Sequence, residues 1–111
     1  MSDSMYPPST VELARRRHEL APGPLKAFKA FSAEVFADGE LPGATKQLIA
    51  VAVAHVTQCP YCIKGHTPAA LREGATRQEI MEAIWVAAEM RSGGAVAHAH
   101  LAFDSLPEQD D

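Results

Sequence analysis

The sequence predicts an all-α fold, on three observations. Alanine makes up close to a fifth of the 111 residues, no stretch alternates apolar and polar residues with a β-branched bias, and S/T-x-x-E capping signatures stand ahead of two apolar-periodic runs. The length fits one domain. Residues 9–106 carry it, between a small, polar, proline-bearing stretch at 1–8 and an acidic one at 107–111, both expected to be loose.

About six helices follow from the punctuation. Ser9 and Glu12 form an S-x-x-E capping box, so a first helix is expected over 10–20, ended by Pro22-Gly23-Pro24. A second, over 24–37, repeats Leu25, Phe28, Phe31, Ser32, Val35 and Phe36 at helical spacing until Asp38-Gly39, and should lie on the core. The third, over 43–57, is apolar around most of its circumference from Leu48 to Val56, which predicts a central element surrounded by protein on nearly all sides. Proline suits a first helical position, so the fourth begins at Cys59-Pro60, and it ends near Gly74. Thr76 and Glu79 repeat the capping box and open a fifth helix carrying Ile80, Ile84, Ala87 and Ala88, expected to stop before Gly93-Gly94. The sixth is short, over 95–103, and rich in small residues.

Charge and hydropathy narrow the function. Ten Lys and Arg against fourteen Asp and Glu give a formal charge of -4, a poor field for a phosphate backbone, so nucleic acid is not an expected partner. The apolar run from Leu48 to Val56 is far shorter than the ~20 residues of a membrane span and is interrupted by His55. Residues 1–8 have neither the basic nor the apolar region of an export signal, which places the expected location in the cytoplasm. A mass of 11.9 kDa leaves much apolar surface uncovered in a monomer, and self-assembly is an option.

Chemistry concentrates in His55-Val56-Thr57-Gln58-Cys59-Pro60-Tyr61-Cys62-Ile63-Lys64-Gly65-His66. With Pro60 as the first helical residue, Cys59 is the N-cap and Cys62 sits in the first turn. Unpaired N–H groups and the positive end of the helix dipole there favour thiolate over thiol. Both sulfurs are candidates for activation, and three residues apart they can close a disulfide. His66, four residues after Cys62, can exchange a proton with it. Such a set suits a two-step cycle in which one thiolate attacks an electrophilic oxygen or sulfur and the other resolves the product.

These residues resemble a known family. Gln47 to His66, followed by Thr67-Pro68-Ala69-Ala70-Leu71, Gly74-Ala75-Thr76, Glu79-Ile80, Glu82-Ala83-Ile84 and Gly93-Gly94, is similar to the AhpD-like alkylhydroperoxidase core of the carboxymuconolactone decarboxylase superfamily, over about 41–101. The resemblance implies an all-helical AhpD-like bundle assembling as homotrimers or homohexamers. It also implies Cys62 as the peroxide-attacking thiolate, Cys59 as the resolving one and His66 as the proton relay. The implied substrate is a small hydroperoxide and the reductant an external dithiol such as a lipoyl-bearing protein, with no metal or flavin cofactor of its own.

Two positions depart from the pattern. The family's general-base glutamate, twelve residues before the first cysteine, is replaced by Gln47, which can hydrogen-bond but cannot take a proton. The histidine that AhpD enzymes carry before the second cysteine is replaced by Tyr61. Glu34, on the preceding helix, is the first candidate for a substitute carboxylate, and His55 the second.

Other readings compete. A structural zinc would have Cys59, Cys62 and His66 but no fourth ligand at a suitable spacing. The cysteines can also be two small buried hydrophobes in a non-catalytic helical assembly module. Lactone decarboxylation of the carboxymuconolactone type needs no cysteine pair, so the C-P-Y-C element argues against it. His98 and His100, two apart, point to different helical faces. Phe28, Phe31 and Phe36, with Trp85, are assigned to core or subunit contacts.

Overall fold

The computed structural model describes residues 5–108. Among them are six helices and no strand: α1 (Val11–Leu20), α2 (Pro22–Phe36), α3 (Gly43–Thr57), α4 (Pro60–Arg72), α5 (Arg77–Ala97) and α6 (Ala99–Ser105). The parts of the expected tails at 1–4 and 109–111 lie outside the described residues. Tyr6 and Pro7, assigned to a loose tail by sequence, lie against Tyr61, whose hydroxyl donates to the Pro7 carbonyl at 2.8 Å.

Three boundaries differ from expectation, each for a local reason. The cap of α1 is Thr10, one residue after Ser9: its Oγ1 accepts the Leu13 N–H at 3.1 Å, while Glu12 is committed to an ion pair with Arg15. Pro22-Gly23-Pro24 does not separate two helices; it forms the first turn of α2, where a missing N–H costs no intrahelical bond, and Ala21 alone makes the break. Gly93-Gly94 does not stop α5, which continues to Ala97; neither glycine has a positive φ, and Gly93 is half-buried with the Glu89 carboxylate close to where a Cβ would stand. α6 accordingly starts four residues later than expected. By contrast α3 and the start of α4 follow the sequence, and Thr76 with Glu79 forms both bonds of the capping box, at 3.0 and 2.8 Å.

The core is small and lies between α3, α4 and α5. Val51 is fully buried and packs with Ala70, Ala75 and Ile80, with Leu48 and Ile84 against them. α3 is thus central, but within one chain it is not surrounded: Ile49, Val53 and Val56 on its other side are exposed. Nor does α2 lie on the core. It contributes no buried residue, and Phe28 and Phe31 are 62% and 63% exposed. Its far end is nevertheless fixed to α3. Lys46 donates to the carbonyls of Val35 and Ala37 at 2.9 and 2.6 Å, and Asp38 accepts the Gly43 N–H at 2.6 Å, which sets Phe36 beside the start of α4.

Candidate functional site

The junction between α3 and α4 places the two cysteines. Gln58 adopts a left-handed conformation, φ 57°, that ends α3, and its N–H and that of Cys59 both bond to the Ala54 carbonyl. Arg91, reaching from α5, donates to the Val56 carbonyl at 3.1 Å and satisfies a second carbonyl of that end. The chain then turns straight into α4 with Cys59 as its N-cap, where the Sγ accepts the Cys62 N–H at 3.4 Å. Both cysteines are free and half-buried.

Their electrostatics differ. Hydrogen bonding from the Cys62 side chain and, second, from the Cys62 backbone N–H holds the Cys59 thiol below its ordinary value against a small opposing effect of burial. The same side-chain bond to Cys59, with burial and the Cys59 charge behind it, pushes the Cys62 thiol up. Of the two thiols, Cys59 is therefore the one that ionises first.

Cys62 and His66 open together into a cleft of about 410 Å³, walled mainly by Val35, Phe36, Ile49 and Val53. The His66 ring stacks on Phe36, centroids 5.1 Å apart and planes 26° from parallel. Its Nδ1 lies 2.8 Å from Oε1 of Gln47, so the amide oxygen accepts the Nδ1 hydrogen and leaves Nε2 as the basic nitrogen. The walls are apolar, which suits a small organic molecule with a polar reacting end.

Of the residues singled out from the sequence, the structure brings Cys59, Cys62 and His66 to one turn of α4 and its next. Glu34 is not brought to them: it is exposed on α2 and makes no hydrogen bond or ion pair among the described residues. The imidazole already has its partner in Gln47, which the sequence set aside because an amide cannot take a proton; its place twelve residues before Cys59 was the signal. His55 does not join either. Its Nδ1 lies 2.7 Å from the Val51 carbonyl in its own helix. Tyr61 turns to the other side of α4, towards Tyr6 and Pro7. Among the described residues no group of three or more His, Cys, Asp or Glu is placed to hold a metal, and no helix is long and apolar enough to cross a membrane.

Known proteins resemble the chain over most of its length. A sequence model of the carboxymuconolactone decarboxylase family matches residues 22–105. An uncharacterized protein encoded in the cox locus of Paracoccus denitrificans is 68% identical over 84 residues, 76% of each chain. A crystal structure from Methanobacterium thermoautotrophicum superposes with a TM-score of 0.70 at 36% identity, covering 77% of this chain and 98% of the other. That of an apo carboxymuconolactone decarboxylase family protein from Legionella pneumophila does so with 0.66 at 34% identity, covering 85% and 83%.

Proposed function

The chain belongs to the carboxymuconolactone decarboxylase family, and from that premise we propose that it is an AhpD-like thiol peroxidase that reduces small organic hydroperoxides through Cys59 and Cys62. The observation that supports this most directly is that Cys62 and His66 share one apolar cleft while Cys59, at the helix N-cap beside Cys62, carries the more acidic thiol.

His66 Nε2 takes the Cys62 proton, and the Cys62 thiolate attacks the distal oxygen of ROOH. The O–O bond breaks, giving Cys62 sulfenic acid and an alkoxide, which takes the proton from His66 and leaves as alcohol. The Cys59 thiolate attacks the Cys62 sulfur, the S–O bond breaks, the departing hydroxide takes a proton from solvent and leaves as water, and the disulfide forms. One thiol of an external dithiol, such as that of a lipoyl-bearing protein, attacks the Cys62 sulfur and expels Cys59, and its second thiol then attacks its own mixed-disulfide sulfur, releasing Cys62 and leaving the reductant as a disulfide. A thiol of low pKa is the better leaving group, so the acidity of Cys59 serves resolution and reduction rather than the attack on peroxide. His66 acts in this scheme as a local proton store, with Gln47 orienting it.

Stopped-flow mixing of the reduced protein with an organic hydroperoxide, read by mass, tests the reading. Cys59→Ser should accumulate a sulfenic acid on Cys62, and Cys62→Ser should lose peroxide consumption. Full turnover by the Cys62 variant would overturn it, and turnover of a carboxymuconolactone by the double-serine variant would favour decarboxylation.

We further propose that the working form is a homo-oligomer. A compact monomer of 11.9 kDa exposes about 5,900 Å²; this chain exposes 9043 Å². Its radius of gyration is 19.4 Å, against roughly 13 Å for a compact chain of this length. The excess of about 3,000 Å² exceeds the ~800 Å² that each partner contributes to a standard interface. Phe28 and Phe31, away from the Cys62–His66 cleft, are among the apolar residues that copies of the chain would cover.

A further inference from the structure

A second cleft, of about 460 Å³, lies on the face of α4 that Tyr61 occupies. It is formed where residues 6–9 and α1 pass beside the first turns of α4. The arm is pinned there by the Tyr61 hydroxyl on the Pro7 carbonyl, at 2.8 Å, and by the edge-to-face packing of Tyr6 on Tyr61, centroids 6.0 Å apart. The lining is apolar, chiefly tyrosine, proline, Leu13 and Ala14, except for Ser9 and two cations, Arg17 and Lys64.

The cleft is positively charged. In a chain of net charge -4, no acidic residue among the described ones lines this cleft. Arg15, on the same helix, is paired with Glu12 and Glu19, Lys46 is bonded to two carbonyls and Arg91 to another. Arg17 and Lys64, like Arg16, Lys26, Lys29, Arg72 and Arg77, have no ion-pair partner among the described residues; what marks the two is that they line the same apolar-walled space. Two like charges facing one apolar-walled space repel each other, and an anion entering it relieves that repulsion while its apolar body leaves water.

We propose that this cleft binds an organic carboxylate with an apolar body, its head held by Arg17 and Lys64 and its body against Tyr6, Tyr61 and Leu13. Guanidinium and ammonium donors make charge-assisted bonds to a carboxylate, and the two tyrosine rings offer a rigid wall to its chain. The site is separate from the Cys62–His66 cleft. It abuts the redox turn all the same, because Pro60 and Tyr61, the two residues between the cysteines, form part of its wall. The proposal does not depend on peroxidase activity.

Calorimetric titration of the full chain with decanoate, decanol and acetate tests it. Decanoate should bind at least ten-fold tighter than either, since only it has both head and body. Arg17→Gln with Lys64→Gln should weaken decanoate at least ten-fold and leave decanol unchanged, and Ala14→Trp, which fills the apolar floor, should weaken both. These positions are exposed, so folding is not at stake. Equal binding of decanoate and decanol, full affinity in the double variant, or no binding of decanoate because another copy of the chain covers the cleft would each overturn it.

Discussion

Replacing Gln47 by Leu isolates the orientation of the imidazole from its ability to hold a proton. In the native chain the amide oxygen accepts the Nδ1 hydrogen at 2.8 Å in a half-buried setting, and the ring stacks on Phe36. Leucine fills nearly the same volume but offers no acceptor, so an imidazole N–H is left without a partner at a site partly closed to water. Such a loss costs about 1–3 kcal/mol. If the orientation of His66 is needed in the step that deprotonates Cys62, the rate of sulfenic acid formation should fall roughly 5- to 150-fold, each 1.4 kcal/mol being a factor of about ten. Gln47→Glu has the opposite electrostatic sense. A carboxylate at that distance favours the charged imidazolium, so the base would become available only at higher pH, and the rise of the rate with pH should move upward. Stopped-flow rates across pH, with thermal unfolding as a control, read both variants. An unchanged rate in Gln47→Leu, or a pH profile in Gln47→Glu that does not move, would refute the orienting role.

The thiols give a second set of outcomes. Cys62→Ala removes the side-chain bond that holds Cys59 down, so thiolate absorbance should develop at higher pH than for Cys59 in the native chain. Cys59→Ser should let Cys62 titrate lower, since its largest upward cause is gone. For stability the sign follows from the lowered Cys59 value: its contribution is present above the unfolded thiol's pKa and is lost as pH falls through the folded one, with Cys62 acting in the opposite sense. Thr76→Ala removes one half of the α5 capping box and should cost about 1 kcal/mol in chemical denaturation. Thr10→Ala, at the cap of a helix with no buried residue, should leave global stability nearly unchanged.

What the sequence made legible was local. The caps at Cys59 and Thr76, and the apolar run of α3, depend on residues within one or two turns, and all fell where the pattern put them. Errors arose where two signals compete over the same few residues. Ser9 and Thr10 are adjacent cap formers, and the commitment of Glu12 to Arg15 decides between them. Pro22 and Pro24 read as a break or as a first turn with equal right until the Ala21 backbone is known. The Gln47–His66 contact joins residues nineteen apart on two helices. No local pattern carries it, and a chemical argument about proton transfer passed over a residue whose contribution is geometric. The burial of α2 was misjudged for a different reason: an apolar stripe marks a face that gains from being covered and does not say that the chain's own core covers it.

That distinction bears on the site itself. Val35 and Phe36 form one wall of the Cys62–His66 cleft, and Phe36 supplies the stacking surface of the imidazole. Yet α2, which carries them, has no fully buried residue and is held mainly by Lys46 and Asp38 at its last turn and just beyond it. Cys59 depends only on the α3–α4 junction, which the small core secures. Assembly should therefore act unequally on the two thiols. In an oligomer, copies covering Phe28 and Phe31 would clamp α2 and with it the wall of the cleft. Phe28→Ser with Phe31→Ser should then lower the assembly state in light scattering and slow the reaction of Cys62 with hydroperoxide, while the pH at which Cys59 ionises stays where it was. Loss of Cys59 acidity in step with dissociation would show that the junction too is built by the partner, and an unchanged Cys62 rate in the dissociated form would show that α2 needs no clamp.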